Sequence, residues 1–201
     1  MRFLLTPINY IQATSSYLKR QHAKPAVLAT LGADAKLGAA WQQRPRKSLT
    51  VVVVGETARA DHFALNGYAR ETNPQLAKVA DLINFGNVWS CGTETAVSLP
   101  CMFSGYKRED FSAEKAKSRE GLLDVLQRAG LAVEWRDNQS GCKGVCDHVP
   151  NVNLKDSRKP GLCGPDECFD EVLLEGLPAR LDQLDRDTVL VLHMMGSHGP
   201  A

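Results

Sequence analysis

The chain has 201 residues, of which 43% are hydrophobic and 23% charged, and its net charge is +1. These proportions suit one folded domain with a sizeable core, and nothing in them marks a nucleic-acid partner. No run reaches the ~18 consecutive apolar residues of a membrane span, and the opening MRFLLTPINYIQATSS breaks at Thr6-Pro7, so it reads as neither a membrane helix nor a convincing signal peptide.

Residues 1–48 carry eight Lys/Arg against one acid, whereas the remainder carries sixteen against twenty-two. A basic front joined to an acidic body suggests a linker or interfacial segment. Leu4, Leu5, Ile8, Tyr10, Ile11 and Tyr17 suit a lipid surface, where each cation contributes about 1 kcal/mol near anionic headgroups. A solvated basic linker has the same composition. A short helix is predicted near Ile8–Leu18, and WQQRPRK forms a boundary.

SLTVVVVGE then predicts a strand at Leu49–Val54, buried on both faces as in a parallel sheet. ETARADHFALNGYARETNPQLAK predicts a turn, a loop around Asn66-Gly67 and a helix opening near Asn73-Pro74. INFGNVWS has the composition of a second strand, and AVSLPCMF that of a short helix with Pro100 in its first turn or kinking it. REGLLDVLQRAG spaces Leu122, Leu123, Val125 and Leu126 as a helix that stops at Gly130, followed by a strand in LAVEWR. Residues 137–168 form an irregular loop, DEVLLEGLPARLDQLD a helix, and DTVLVLHMM a central strand. Alternating strands and helices imply an α/β domain around a mostly parallel sheet flanked by helices.

The six cysteines suggest three short-range pairs, Cys91/Cys101, Cys142/Cys146 and Cys163/Cys168. The last four also approach the spacing of a structural zinc ribbon, and both readings stand at this level. Disulfides would place the domain in an oxidising compartment.

Ligands of open α/β sheets gather at the carboxyl ends of the strands. The first strand delivers Glu56 there, as a metal ligand, a general base or a solvated carboxylate. The last delivers His193 and then Gly196-Ser197-His198-Gly199. His198 projects from a tight turn as a substrate, metal or backbone contact, and His193 reads as a core histidine. In CGTETAVSLPC, Thr95 lies within a turn of a helix start, where amides and the helix dipole favour a phosphate. It is either an N-cap or a nucleophile, and a nucleophile needs a base or metal to form its alkoxide. P-loop, GxGxxG, HExxH, GxSxG and C-x-P-x-R patterns are absent.

The segments VVVVGETARADHFALNGYARETNPQL, SCGTETAVSLPCMFS, WRDNQSGCKGVCD and VLHMMGSHGPA together closely resemble the lipid A phosphoethanolamine transferases over residues 49–201. These are zinc-dependent inner-membrane enzymes of the alkaline-phosphatase superfamily, and they include the mobile colistin-resistance proteins. The resemblance implies an alkaline-phosphatase or sulfatase-like fold whose periplasmic domain carries short-range disulfides, and a role in polymyxin resistance. It implies transfer of phosphoethanolamine from phosphatidylethanolamine to a lipid A phosphate through a phosphothreonine. Residues 49–201 then correspond to the N-terminal part of the periplasmic catalytic domain, and residues 1–48 to the stretch after the last transmembrane helix.

By the same resemblance, Glu56 and Thr95 are zinc ligands and Thr95 is the nucleophile, while Lys143 and Ser140 contact the phosphoethanolamine group and His198 is a substrate-site histidine close to the metal. Thr93 and Ser98 are not the nucleophile. The family's transmembrane helices and its later S-D-H-G-E segment, which supplies an aspartate and a histidine to the zinc, have no counterpart in the 201 residues. The expectation is a fragment that alone binds zinc weakly and transfers nothing. Two alternatives accompany it: a lipopolysaccharide core sugar as acceptor, or an inactive headgroup-binding remnant.

Overall fold

The structure, a computed structural model, describes residues 8–21 and 28–198. Leu4, Leu5 and the Pro200-Ala201 end lie outside the described residues. The strands are β1 (Leu49–Val54), β2 (Ala132–Asp137), β3 (Asn151–Asn153) and β4 (Thr188–His193), and all pair in parallel in the order β1-β4-β2-β3. Helices α1 (Ile8–Gln21), α2 (Ala39–Gln42), α3 (Thr95–Ser104), α4 (Ala113–Lys117), α5 (Leu122–Arg128) and α6 (Leu177–Leu181) complete it.

β4 is the buried centre. Val189 and Val191 enter one apolar cluster with Leu99 and Phe103 of α3, Leu123 of α5 and Trp135 of β2. Leu190 and Leu192 enter a second cluster with Val172, Leu173 and Leu177. The period of two along the strand thus covers both faces of the sheet. Strand register brings Val54, His193 and Asp137 side by side at its carboxyl edge.

Several expectations are corrected. β1 is an edge strand, paired only with β4, and it is not buried on both faces: Leu49, Val51 and Val53 share one face and are exposed among the described residues, whereas Val52 and Val54 face the core. INFGNVWS is not a strand: Ile83, Phe85, Val88 and Trp89 are exposed, and among the described residues no ladder partner reaches them. The helix after Asn73 shrinks to a 3-10 turn, Leu76–Lys78. The 170–185 helix splits into a 3-10 segment, Asp170–Leu174, and α6, because Gly176 takes a positive φ of 66° between them. The 137–168 loop holds the short strand β3, and Pro100 lies in the second turn of α3 rather than its first.

Cys91–Cys101, Cys142–Cys146 and Cys163–Cys168 are disulfides. The zinc-ribbon alternative falls with them, since bonded sulfurs offer no thiolate. The segment ahead of the sheet is tied to it: Asp187 accepts hydrogen bonds from the Ser48 amide at 2.7 Å and from Trp41 Nε1 at 2.9 Å.

Candidate functional site

The candidate site is built where β1, α3 and the turn after β4 converge. β1 ends at Val54, and Glu56 follows it half-buried. Thr95 is the first residue of α3, with Glu94 in the N-cap position, so Thr95 is not itself the cap and its hydroxyl is free for other partners. Thr95 Oγ1 donates to Glu56 Oε2 at 2.8 Å, joining residues 39 apart in sequence. Thr57 Oγ1 donates to the other carboxylate oxygen, Oε1, at 2.9 Å. Thr57 holds φ at 53°, a conformation unusual for a β-branched residue and of the kind that clusters at functional sites.

The turn after β4 closes over Glu56. Gly196 has φ 59°, and a Cβ there would lie 2.6 Å from the Glu56 carbonyl oxygen, so only glycine fits. The next amide, Ser197, donates to that same carbonyl at 3.3 Å. His198 follows on this turn and is exposed.

The loop after β2 supplies the remaining expected residues. Lys143 Nζ donates to Ser140 Oγ at 2.6 Å and to its carbonyl at 2.8 Å. Lys143 also has a positive φ of 53° within the Cys142–Cys146 staple. It shares the wall of a cavity of about 770 Å³ with Ala96 and Val97, the two residues after Thr95. The structure therefore joins Glu56 to Thr95 directly, carries His198 on a turn seated against Glu56, and pairs Ser140 with Lys143 beside α3.

Under this edge sits a buried network. Asp137 accepts from His193 Nδ1 at 2.9 Å, Trp135 Nε1 at 2.8 Å and the Gln139 amide at 2.7 Å. Burial pushes the Asp137 carboxyl up, but the bonds from His193, Trp135 and Gln139 outweigh it and hold the carboxyl below its ordinary value. An ionised carboxylate only accepts, so His193 Nδ1 carries the proton. His193 Nε2 is buried without a hydrogen-bond partner among the described residues. His193 is thus a core histidine satisfied on one nitrogen.

Sequence reasoning missed Thr57, Asp137, Asn138, Asp170 and Gly196. Asp137 ends β2 and Asn138 follows it, so the strand-end rule that singled out Glu56 after β1 would have found that pair. Gly196 was read only as part of the tight turn that carries His198, without its packing on Glu56, and nothing local marks Asp170.

The donor chemistry at Glu56 and Thr95 fits two oxygen ligands of a divalent cation: an anionic carboxylate and a hydroxyl already converge, and a proton now bridges them. Zinc takes about four ligands, so the pair fits as part of a site. Among the described residues, the one cluster of three metal-ligating types is Cys142, Cys146 and Asp147, whose sulfurs are spent in the disulfide.

Residues 48–201 match the sulfatase family model. Phosphoethanolamine transferase EptA of Escherichia coli strain K12 is 49% identical over 196 residues, which cover 98% of this chain and 36% of that protein. Phosphatidylethanolamine transferase Mcr-2 of Escherichia coli is 44% identical over 204 residues, again 98% of this chain and 36% of that protein. The integral membrane protein lipooligosaccharide phosphoethanolamine transferase A from Neisseria meningitidis superposes with a TM-score of 0.86 at 43% identity, over 98% of this chain and 37% of that one. The chain spans about a third of the length of these relatives.

Proposed function

The chain belongs to the sulfatase family, with phosphoethanolamine transferases among its relatives, and from that premise we propose that it carries the nucleophile half of such a transferase site. In this reading Thr95 Oγ1 attacks the phosphorus of phosphatidylethanolamine. The Thr95 O–P bond forms, the bond to the glycerol oxygen breaks, and diacylglycerol leaves with the proton. A lipid A phosphate hydroxyl then attacks the same phosphorus: its oxygen bonds the phosphorus, the Thr95 O–P bond breaks, and Thr95 takes up the acceptor's proton and leaves as its hydroxyl.

One observation carries the reading: Thr95 Oγ1 donates to Glu56 Oε2 at 2.8 Å, at the first turn of a helix. Glu56 orients the hydroxyl and is a base within reach of its proton. Amides at the very start of α3 would face a phosphoryl oxygen bound at Thr95. Lys143 adds a point charge for the phosphate, held by Ser140, and His198 is carried on the turn against Glu56. A zinc ion bound by Glu56 and Thr95 would lower the pKa of the hydroxyl and neutralise phosphoryl charge. Its remaining ligands would come from other residues of a protein of the relatives' length.

Residues 1–48 are read as an interfacial segment on the inner membrane, with the sheet domain in the periplasm. α1 supports this with exposed Tyr10, Ile11, Tyr17 and Leu18. Three disulfides fit an oxidising compartment. No helix among the described residues is long and apolar enough to cross a membrane.

The test is donor turnover by the gene product that carries this chain, presented with phosphatidylethanolamine vesicles and lipid A. Diacylglycerol release that requires Glu56 and Thr95 supports the reading. Release that persists in Glu56→Ala and Thr95→Ala variants contradicts it.

A further inference from the structure

We propose that Asp170 is a positioning residue for the Glu56–Thr95 site, acting through the turn that follows β4. Its Oδ1 accepts from the Met195 amide at 2.6 Å and from Asn138 Nδ2 at 2.9 Å, and its Oδ2 accepts from the Gly196 amide at 2.9 Å. All three donors are neutral N–H groups. The carboxylate is therefore a directional clamp rather than half of an ion pair, with two of its bonds on consecutive amides of one turn. It does not cap its own segment, whose N-cap is Phe169 with no side-chain bond.

The clamp has a fixed base. Asn138 Nδ2 also donates to the Cys168 carbonyl at 2.9 Å, and the Asn138 amide donates to the His193 carbonyl at 2.9 Å. Downstream, buried Arg136 of β2 donates to the carbonyls of Leu173 at 2.7 Å and Glu175 at 2.6 Å. Asp170 is thus held from both sides, by the Cys163–Cys168 loop and by β2.

What the clamp holds is the wall behind Glu56. Gly196 packs so closely on the Glu56 backbone that no Cβ fits, and the Ser197 amide bonds the Glu56 carbonyl. If the turn moves, Glu56 loses its support, and with it the carboxylate that orients Thr95 and the register of His198. A displacement of about 1 Å in such a site costs on the order of 100-fold in rate. The link runs through residues 138, 170, 196 and 56, which lie on four separate stretches of chain, so no local pattern announces it.

The kinetic arm of the test rests on the transferase reading, and the exchange arm does not. In the gene product carrying this chain, amide hydrogen exchange is followed at Met195 and Gly196 and at Leu190–Leu192 of β4, for wild type, Asp170→Ala and Asp170→Asn. Asp170→Ala should accelerate exchange at Met195 and Gly196 about tenfold or more and leave β4 unchanged. It should lower kcat by about 100-fold with KM changed less than about twofold. Asp170→Asn, which keeps one acceptor oxygen, should recover part of both. Unchanged exchange at the turn, equal acceleration across β4, or faster turn exchange with an unchanged kcat would each overturn the proposal. A wild-type protein that transfers nothing, with the exchange pattern as expected, supports the clamp and sinks the transferase reading instead.

Discussion

The carboxylate of Asp137 and the imidazole of His193, register partners on adjacent strands, meet 2.9 Å apart at the carboxyl end of the sheet. Asp137 also takes the Trp135 indole and the Gln139 amide, so one side chain organises the edge on which the candidate site stands. Asp137→Ala would strand buried donors on His193 and Trp135. With two buried donors left unpaired at about 1–3 kcal/mol each, we expect it to lower stability by about 2–6 kcal/mol, read as a shift of the urea midpoint. An unchanged midpoint would show that the network adds nothing to the fold.

The same carboxylate sets an acid limit. Its folded pKa lies below the unfolded value of about 3.9, so between the two the unfolded chain binds more protons and stability rises with pH. Asp187 shifts in the same direction, chiefly through the Ser48 amide and then the Ser48 hydroxyl and Trp41. Their contribution is complete above about pH 4 to 5 and is lost as pH falls through the folded pKa values. Urea titrations from about pH 5 down to 2 should show falling stability. In an Asp137→Asn, Asp187→Asn double variant the slope should be shallower, and an identical slope would refute the assignment.

Gly196 gives a steric prediction. A methyl group there collides with the Glu56 carbonyl and demands a positive φ of an L residue. Gly196→Ala should cost about 1–3 kcal/mol of stability. Because the colliding atom belongs to Glu56, it should also lower phosphoethanolamine transfer at least about tenfold, on the scale expected for a misplaced catalytic group. Full activity in this variant would mean that the backbone of Glu56 has slack.

What the sequence disclosed follows a physical division. β2 and α5 were legible because partial burial imposes a period of two or of 3.6 on a short run, and β4 and Leu49–Val54 because short continuous apolar, valine-rich runs suit a parallel-sheet strand. INFGNVWS has strand composition too, but a strand exists only where a ladder partner does, and composition does not reveal partners. Glu56 and Thr95 stood out by lying at a strand end and a helix start. Thr57, Asp170 and Gly196 did not, because each is defined by contact with residues far away in the chain.

The Cys91–Cys101 staple encloses Thr95, with a sequence separation of ten. A loop of that size confers about 3 kcal/mol in the chain-entropy account, so a Cys91→Ser, Cys101→Ser double variant should lose about 2–4 kcal/mol. Protein isolated without reductant should titrate no free thiol, and six thiols per chain would reject all three bridges.

The central claim is that one hydroxyl among the three between those cysteines does the chemistry. The most direct measurement is peptide mass spectrometry of the gene product that carries this chain, after incubation with phosphatidylethanolamine and no acceptor. A phosphoethanolamine group on Thr95 in the 91–101 stretch, absent from Thr95→Ala and discharged by lipid A, is the predicted result. An adduct on Thr93 or Ser98, or a Thr95→Ala variant that still transfers phosphoethanolamine, would contradict it.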